Sequence, residues 1–193
     1  MGRRTISFVA LLILVPFIGV SQVIEVETKI YKVLYDQDLK QPLEVSYTVQ
    51  CPKGDADRAG MDFRTVPNIV TSTAEDYSNN IWDKGHLAPA AAFSCTKEML
   101  RETFMYFNCV LQHESLNRGV WNRLEQFERS LANFYQVEVT IEVLFDDKVR
   151  RVPTGAAIPK EFIKTIKFGD KNLKFRFPNT NTSGTNWIDY LIE

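Results

Sequence analysis

The chain has 193 residues, 45% of them hydrophobic and 24% charged, which supports one domain with an apolar core and excludes a disordered tail. A formal charge of -1 argues against a protein held to nucleic acid by overall basicity, but leaves room for a locally basic groove. Three cysteines are too few for a disulfide-built miniprotein, and no fixed-period repeat marks a solenoid.

Arg3 and Arg4 precede an almost wholly apolar run over residues 6–20, and the small residues Gly19 and Ser21 lie just before Gln22. Basic, apolar and small segments in that order read as a secretory signal peptide cleaved before Gln22. The expected folded domain is then residues 22–193, secreted or periplasmic. A membrane anchor is the competing reading. Pro16 and a run shorter than the roughly 20 apolar residues of a span count against it, so no stable membrane association is expected. Losing the two arginines makes the remaining charge balance more acidic. In an oxidising compartment Cys51, Cys95 and Cys109 allow at most one internal bridge, and the spacing does not say which pair forms it. No cysteine or histidine cluster has zinc-ligand spacing.

Strands are expected over residues 29–35 and 43–49, with a polar turn beginning at Asp36-Gln37-Asp38 between them. Residues 51–82 hold Cys51-Pro52-Lys53-Gly54 and many Asn, Asp and Ser without sustained periodicity, so long ordered loops are expected. Residues 104–110 suit a strand and residues 98–107 equally suit a short helix. From Arg118 to Tyr135 the pattern is helical. Leu124, Phe127, Leu131 and Phe134 recur at three and four residues and form an apolar stripe facing a core. Asn117 stands where it could cap the first turn. Residues 136–143 alternate, with Val137, Val139, Ile141 and Val143 on one face. Residues 163–168 and 173–177, joined by Gly169-Asp170-Lys171-Asn172, read as a hairpin. The fold class is α+β, with mostly antiparallel strands and flanking helices.

Two segments hold residues suited to chemistry. The first is Trp82-Asp83-Lys84-Gly85-His86-Leu87-Ala88-Pro89-Ala90. Gly85 permits a close backbone turn and Pro89 stiffens the exit. Lys84, two residues from the imidazole, would favour the neutral ring, because a like charge disfavours protonation. A neutral imidazole near pH 7 suits a general base, although a histidine alone at such a turn is more often a structural hydrogen-bonding group. His113 has no comparable setting and is read as structural. The second segment runs from Asn108 to Glu125. Asn117 offers a hard amide oxygen, and Mg²⁺ binds through one or two protein oxygens while keeping several waters. Glu125 and Arg129 are four apart on one side of the predicted helix, ordinarily a weak surface pair.

Together the two segments closely resemble the DNA/RNA non-specific endonucleases of the ββα-metal type. That family's signature is Asp-Arg-Gly-His and a small, Pro-containing stretch, then an Asn, Pro-Gln, and an Asn, Trp and Glu at four-residue steps. Here stand Asp83-Lys84-Gly85-His86, then Asn108, Gln112, Asn117, Trp121 and Glu125 in register. Weaker similarity extends over residues 30–168, including Arg58 to Arg64 and Asp76-Tyr77.

The resemblance implies a ββα-metal finger nuclease fold and a Mg²⁺-dependent endonuclease, with Mn²⁺ as a substitute ion, acting on DNA and RNA to leave 5′-phosphate ends. It implies His86 as general base, Asn117 as direct metal ligand, and Glu125 as holder of the waters around the ion. Asn108 orients the site, and Lys84 stands in the motif position of an Arg. Arg129 and one of Arg58 or Arg64 contact phosphate, and Arg118 and Arg123 are further candidates for substrate binding. Lys148, Arg150 and Arg151 are read as ordinary solvated surface. Lys84 keeps the charge of the family's Arg and loses its bidentate geometry. Leu111 replaces a Pro, and the chain stops at Glu193 where many relatives continue. A nucleic-acid-binding relative without catalysis and a phosphodiesterase for small esters are the rival readings.

Overall fold

The structure is a computed structural model that describes residues 22–193; the leader assigned to residues 1–21 lies outside the described residues. Strands β1 (Val23–Glu27), β2 (Tyr31–Asp36) and β3 (Gln41–Thr48) open the chain. β4 (Trp82–His86) follows a long loop, and α1 (Lys97–Thr103) leads to β5 (Cys109–His113). A helical turn, α2 (Glu114–Leu116), passes through a π-type segment (Asn117–Trp121) into α3 (Asn122–Leu131). β6 (Val137–Leu144), β7 (Glu161–Phe168) and β8 (Lys171–Pro178) complete the strands.

Six strands form one antiparallel sheet in the order β1-β2-β3-β6-β7-β8, and β4 and β5 form a separate antiparallel ribbon. The ribbon and the helix leaving β5 make the expected ββα unit. In the large sheet, period-two alternation decides which face is buried. Val137, Val139, Ile141 and Val143 are buried, and Phe162 and Ile166 from β7 join them. Trp121, Leu124, Val120 and Leu116 of the helix pack against this face, with Phe93 and Phe107. The site-bearing helix is therefore seated on the sheet by its apolar stripe.

Several expectations shift. β1 adds an edge strand that the sequence reading did not include, paired with β2 from Val23 opposite Asp36. The ambiguous stretch contains both elements in succession: α1 occupies residues 97–103 and β5 begins at Cys109. The apolar stripe ends early, because α3 stops at Leu131 and Phe134 is 82% exposed beyond it. The β7–β8 connection is tighter than four residues, with Phe168 paired to Lys171 across Gly169-Asp170 and Gly169 at φ 54°, a conformation glycine adopts without steric cost. Asn117 does not cap the helix. The first turn begins at Glu114, and His113 caps it by accepting the Ser115 N–H at Nδ1, 3.2 Å away. The His113 ring also meets Trp82 edge-on at 5.9 Å, so its structural reading holds.

Cys51 and Cys95 form the single bridge and Cys109 is free and buried. The bridge closes the segment that contains Arg58, Lys84 and His86. Leu111, where the family has Pro, donates its N–H to Gln41 Oε1 at 3.1 Å. Proline could not form that bond.

Candidate active site

β4 places Lys84 and His86 on one face, because side chains two apart in a strand point the same way. Gly85 between them does not make a turn. It lies within the ribbon, opposite Val110. A Cβ there would sit 2.5 Å from Gln112 Oε1 and 2.7 Å from Gln112 Cβ, so glycine is required by the Gln112 side chain lying across the strand. Beyond His86 the chain is clamped by Asn108. Its Oδ1 accepts from Ala88 N at 2.8 Å, and its Nδ2 donates to the carbonyls of Ala88 and Thr103 at 2.9 Å each. Asn108 is fully buried and does not line the cleft described below. Its amide is used up in holding backbone, so it positions His86 and is not itself a reacting group.

The His86 ring lies between Phe63, 4.5 Å between centroids, and Phe104, 4.7 Å and edge-on. Nε2 is buried and has no hydrogen-bond partner among the described residues. Burial, followed by the charge of Arg58, pushes the imidazole pKa down to about 3. The neutral ring assigned to Lys84 in the sequence reading thus has another origin. The Lys84 ammonium is paired with Asp62 Oδ1 at 2.7 Å.

Asp83, on the opposite side of β4 from His86, ties the ribbon to the helix. Its Oδ2 accepts from Asn117 Nδ2 at 2.9 Å and from Arg118 Nε at 2.8 Å, and its Oδ1 accepts from Arg118 Nη2 at 2.6 Å. With its nitrogen committed to Asp83, the Asn117 side chain is fixed in orientation. No described residue donates to its carbonyl oxygen. The sequence reading quoted Asp83 within the signature and gave it no role.

A cleft of about 410 Å³ joins the two elements. One wall holds Lys84 and His86 from β4 with Arg58 from the long loop; the other holds Asn117, Arg118, Glu125 and Arg129. Residues far apart in sequence therefore meet as expected. Asn122 also lines the cleft and was missed. Its signal was available, since Arg118, Asn122, Glu125 and Arg129 recur at four, three and four residues and define the polar face opposite the apolar stripe. Arg64 and Arg123 do not reach the cleft. Arg123 is five residues past Arg118, roughly 140° around a helix, and donates to Thr185 O at 2.8 Å. The guanidinium of Arg64 donates to Arg101 O at 3.3 Å, beside a different hollow.

Glu125 is half-buried in the cleft wall, and burial pushes its pKa up to about 7, with Lys164 opposing that shift and Glu128 adding to it. Beneath it lies a charged cluster that the sequence reading did not anticipate. Lys164 and Glu128 are buried, with Nζ 2.6 Å from Oε1. The Tyr47 hydroxyl donates to Glu128 Oε2 at 2.8 Å, and the ammonium stands 4.2 Å from the Trp121 ring centroid. Arg129 Nη1 is buried and has no acceptor among the described residues.

The available donors are hard: the Asn117 carbonyl oxygen and the Glu125 carboxylate. Among the described residues no group of three His, Cys, Asp or Glu could hold a metal by itself. Such a donor set fits a cation that keeps most of its water, and does not fit zinc.

The DNA/RNA non-specific endonuclease profile matches residues 17–193. The chain belongs to that family. It is 36% identical over 102 residues to "Nuclease EXOG, mitochondrial" of Danio rerio, covering 50% of this chain and 30% of that protein. It is 37% identical over 125 residues to "Endonuclease G, mitochondrial" of Homo sapiens, covering 63% and 40%. Against "Nuclease C1" of Cunninghamella echinulata var. echinulata the identity is 39% over 124 residues, covering 58% and 49%. These matches span less than half the length of each relative. The fold is similar to that in "Crystal structure of the EndoG/EndoGI complex: Mechanism of EndoG inhibition", with TM-score 0.78 and 23% identity over 91% of this chain and 81% of that one. The mixed α+β architecture with a mostly antiparallel sheet is that of the family. Among the described residues no helix is long and apolar enough to cross a membrane.

Proposed function

We propose that the protein is an exported, Mg²⁺-dependent endonuclease that hydrolyses phosphodiester bonds in DNA and RNA and leaves 5′-phosphate ends. The observation that carries this reading is the meeting of the His86 ring with Asn117 and Glu125 across one cleft. His86 is the base: its imidazole, on the cleft wall, takes the proton of the attacking water as the water oxygen bonds to phosphorus. The bond from phosphorus to the 3′ oxygen then breaks. The phosphodiester anion entering beside the ring favours its protonated form and so raises the low basicity that burial imposes.

Asn117, fixed by Asp83, and Glu125 would hold the Mg²⁺. When bound, the ion supplies charge neutralisation at the phosphate and leaving oxygen. Arg129 and Arg58 bind phosphate oxygens, while Arg118 and Lys84 at the rim are paired with Asp83 and Asp62. Contacts directed to phosphates and not to base edges account for weak sequence preference. Mn²⁺ satisfies the same oxygen donors. The Cys51–Cys95 bridge supports an oxidising destination, in keeping with the leader read from residues 1–21.

The purified protein is expected to degrade both plasmid DNA and RNA with Mg²⁺, and to stop when a chelator is added. His86→Ala should abolish cleavage, a loss of at least about 100-fold for a general base. Undiminished cleavage by that variant would sink the assignment. One observation favours a second reading: Lys84 is occupied by Asp62, which removes a phosphate contact. Binding without cleavage in both Mg²⁺ and Mn²⁺ would select a non-catalytic nucleic-acid-binding protein.

A further inference from the structure

Beside the cleft lies a smaller hollow of about 230 Å³, lined by Arg64, Lys97 and Arg101. Lys97 and Arg101 are four apart on α1, so they stand on one face of it. Arg64 is held against the end of the same helix: its N–H donates to Phe104 O at 3.0 Å, its carbonyl accepts from Tyr106 N at 3.0 Å, and its guanidinium donates to Arg101 O. None of these cations forms a salt bridge among the described residues. Two carboxylates also face the hollow. Asp62 is neutralised by Lys84 at 2.7 Å, and Asp57 accepts the Ala59 N–H at 2.9 Å. Positive charge is left in excess.

The hollow and the cleft share one thin wall. Asp62 lines the hollow and its partner Lys84 lines the cleft. Phe63, the next residue, packs on His86, and Arg64 follows it. A polyanion whose reacting phosphate lies at His86 meets these cations as it leaves the cleft on this side. Free anions would gain little from so open a site, whereas a strand already held in the cleft presents its next phosphates there at high effective concentration.

We propose that the Arg64–Lys97–Arg101 hollow is a second phosphate subsite, which binds the backbone of the same nucleic-acid strand beyond the scissile bond. The proposal rests on the nuclease reading for the direction of the strand. Its test needs no turnover. A fluorescent single strand of about 20 nucleotides, longer than typical single-domain binding sites, is titrated with the protein in chelator across a salt series. Lys97→Ala/Arg101→Ala should weaken binding on the order of tenfold at about 0.1 M salt and lower the slope of log affinity against log salt by about 1.4, two contacts at roughly 0.7 each.

Lys167→Ala/Lys171→Ala removes the same charge from the β7–β8 hairpin and should change the slope much less. An unchanged slope in the α1 variant, or an equal change in the hairpin variant, overturns the subsite. A wild-type protein that binds the strand with the α1-dependent slope but cleaves nothing once Mg²⁺ is restored refutes the hydrolase and upholds the subsite. One that fails to bind overturns the subsite and leaves the hydrolase to the cleavage assay with Mg²⁺.

Discussion

The large sheet and the β4–β5 ribbon achieve order by different means. In the sheet, eight-residue strands such as β6 and β7 bury every second side chain. Stability there is spread over many contacts of similar kind, each fully buried aliphatic or aromatic side chain contributing about 1.5–3 kcal/mol. The ribbon has five-residue strands, and β4 is Trp-Asp-Lys-Gly-His. It is held by particular groups: the Asn108 clamp, the Gln112 side chain over Gly85, and the Asp83 links to Asn117 and Arg118. The charge-bearing strand β4 buries little apolar area, so its positions depend on a few directional contacts, whereas its partner β5 is anchored by the buried Cys109, Val110 and Leu111.

Lys164 is where the sheet departs from its own rule, and it gives the largest expected effect. It occupies an inward position on β7 between Phe162 and Ile166. Lys164→Met alone strands the Glu128 carboxylate and should cost about 3–5 kcal/mol in urea unfolding. Lys164→Met/Glu128→Leu should recover most of that loss, because removing both charges also removes their desolvation cost. Equal destabilisation by the single and double variants would show that packing, and not the stranded charge, is responsible.

A pH profile separates the cleft's two walls. His86, with its pKa pushed down to about 3, stays neutral through the ordinary range, whereas Glu125, pushed up to about 7, gains its charge there. At limiting divalent ion, kcat/KM should therefore fall about tenfold per pH unit below pH 7, and the midpoint belongs to the helix wall. A limb near pH 6.5 that survives in Glu125→Gln would assign it to the ring instead. Stability carries the opposite sign. The folded state holds the Glu125 proton that the unfolded chain releases, so this group's contribution declines as pH rises from about 4.5 through 7.

Gly85→Ala tests the ribbon with a single methyl. The clash with Gln112 should cost about 1–3 kcal/mol, as overpacking does, and Gln112→Gly in the same chain, which removes the Cβ 2.7 Å away as well as Oε1, should relieve it. A Gly85→Ala protein as stable as the parent would show that the ribbon yields at this close cross-strand contact.

Much of the sheet was legible because period-two alternation in residues 136–143 and the hairpin around Gly169 are local signals. The cleft was legible for a different reason: residue types and spacings in the Asp83–His86 and Asn108–Glu125 segments match a known pattern. Local signals failed where the neighbour was distant. Asn117 looks like a cap until the helical turn begins three residues earlier, at Glu114, and Arg64 looks like a cleft residue until its backbone pairs with Phe104 and Tyr106. Phe134 continues a stripe in the sequence, but the helix ends before reaching it. Lys164 gave no warning, since a lysine in a strand is ordinarily placed on the solvent face and its partner Glu128 lies on another element.

The amino-acid order by itself determined a mixed α+β fold and the apolar face of the helix, and its likeness to a known family pattern implied the ββα frame and the grouping of a histidine with an asparagine and a glutamate as candidate chemistry. Tertiary structure alone decided which cysteines join, why the imidazole is neutral, which arginines enter the cleft, and where a buried ammonium stands beneath it. The division follows the range of the forces. Backbone hydrogen bonding and side-chain periodicity act between near neighbours and can be read along the chain. Desolvation, ion pairing and steric exclusion depend on what the fold brings within a few ångströms.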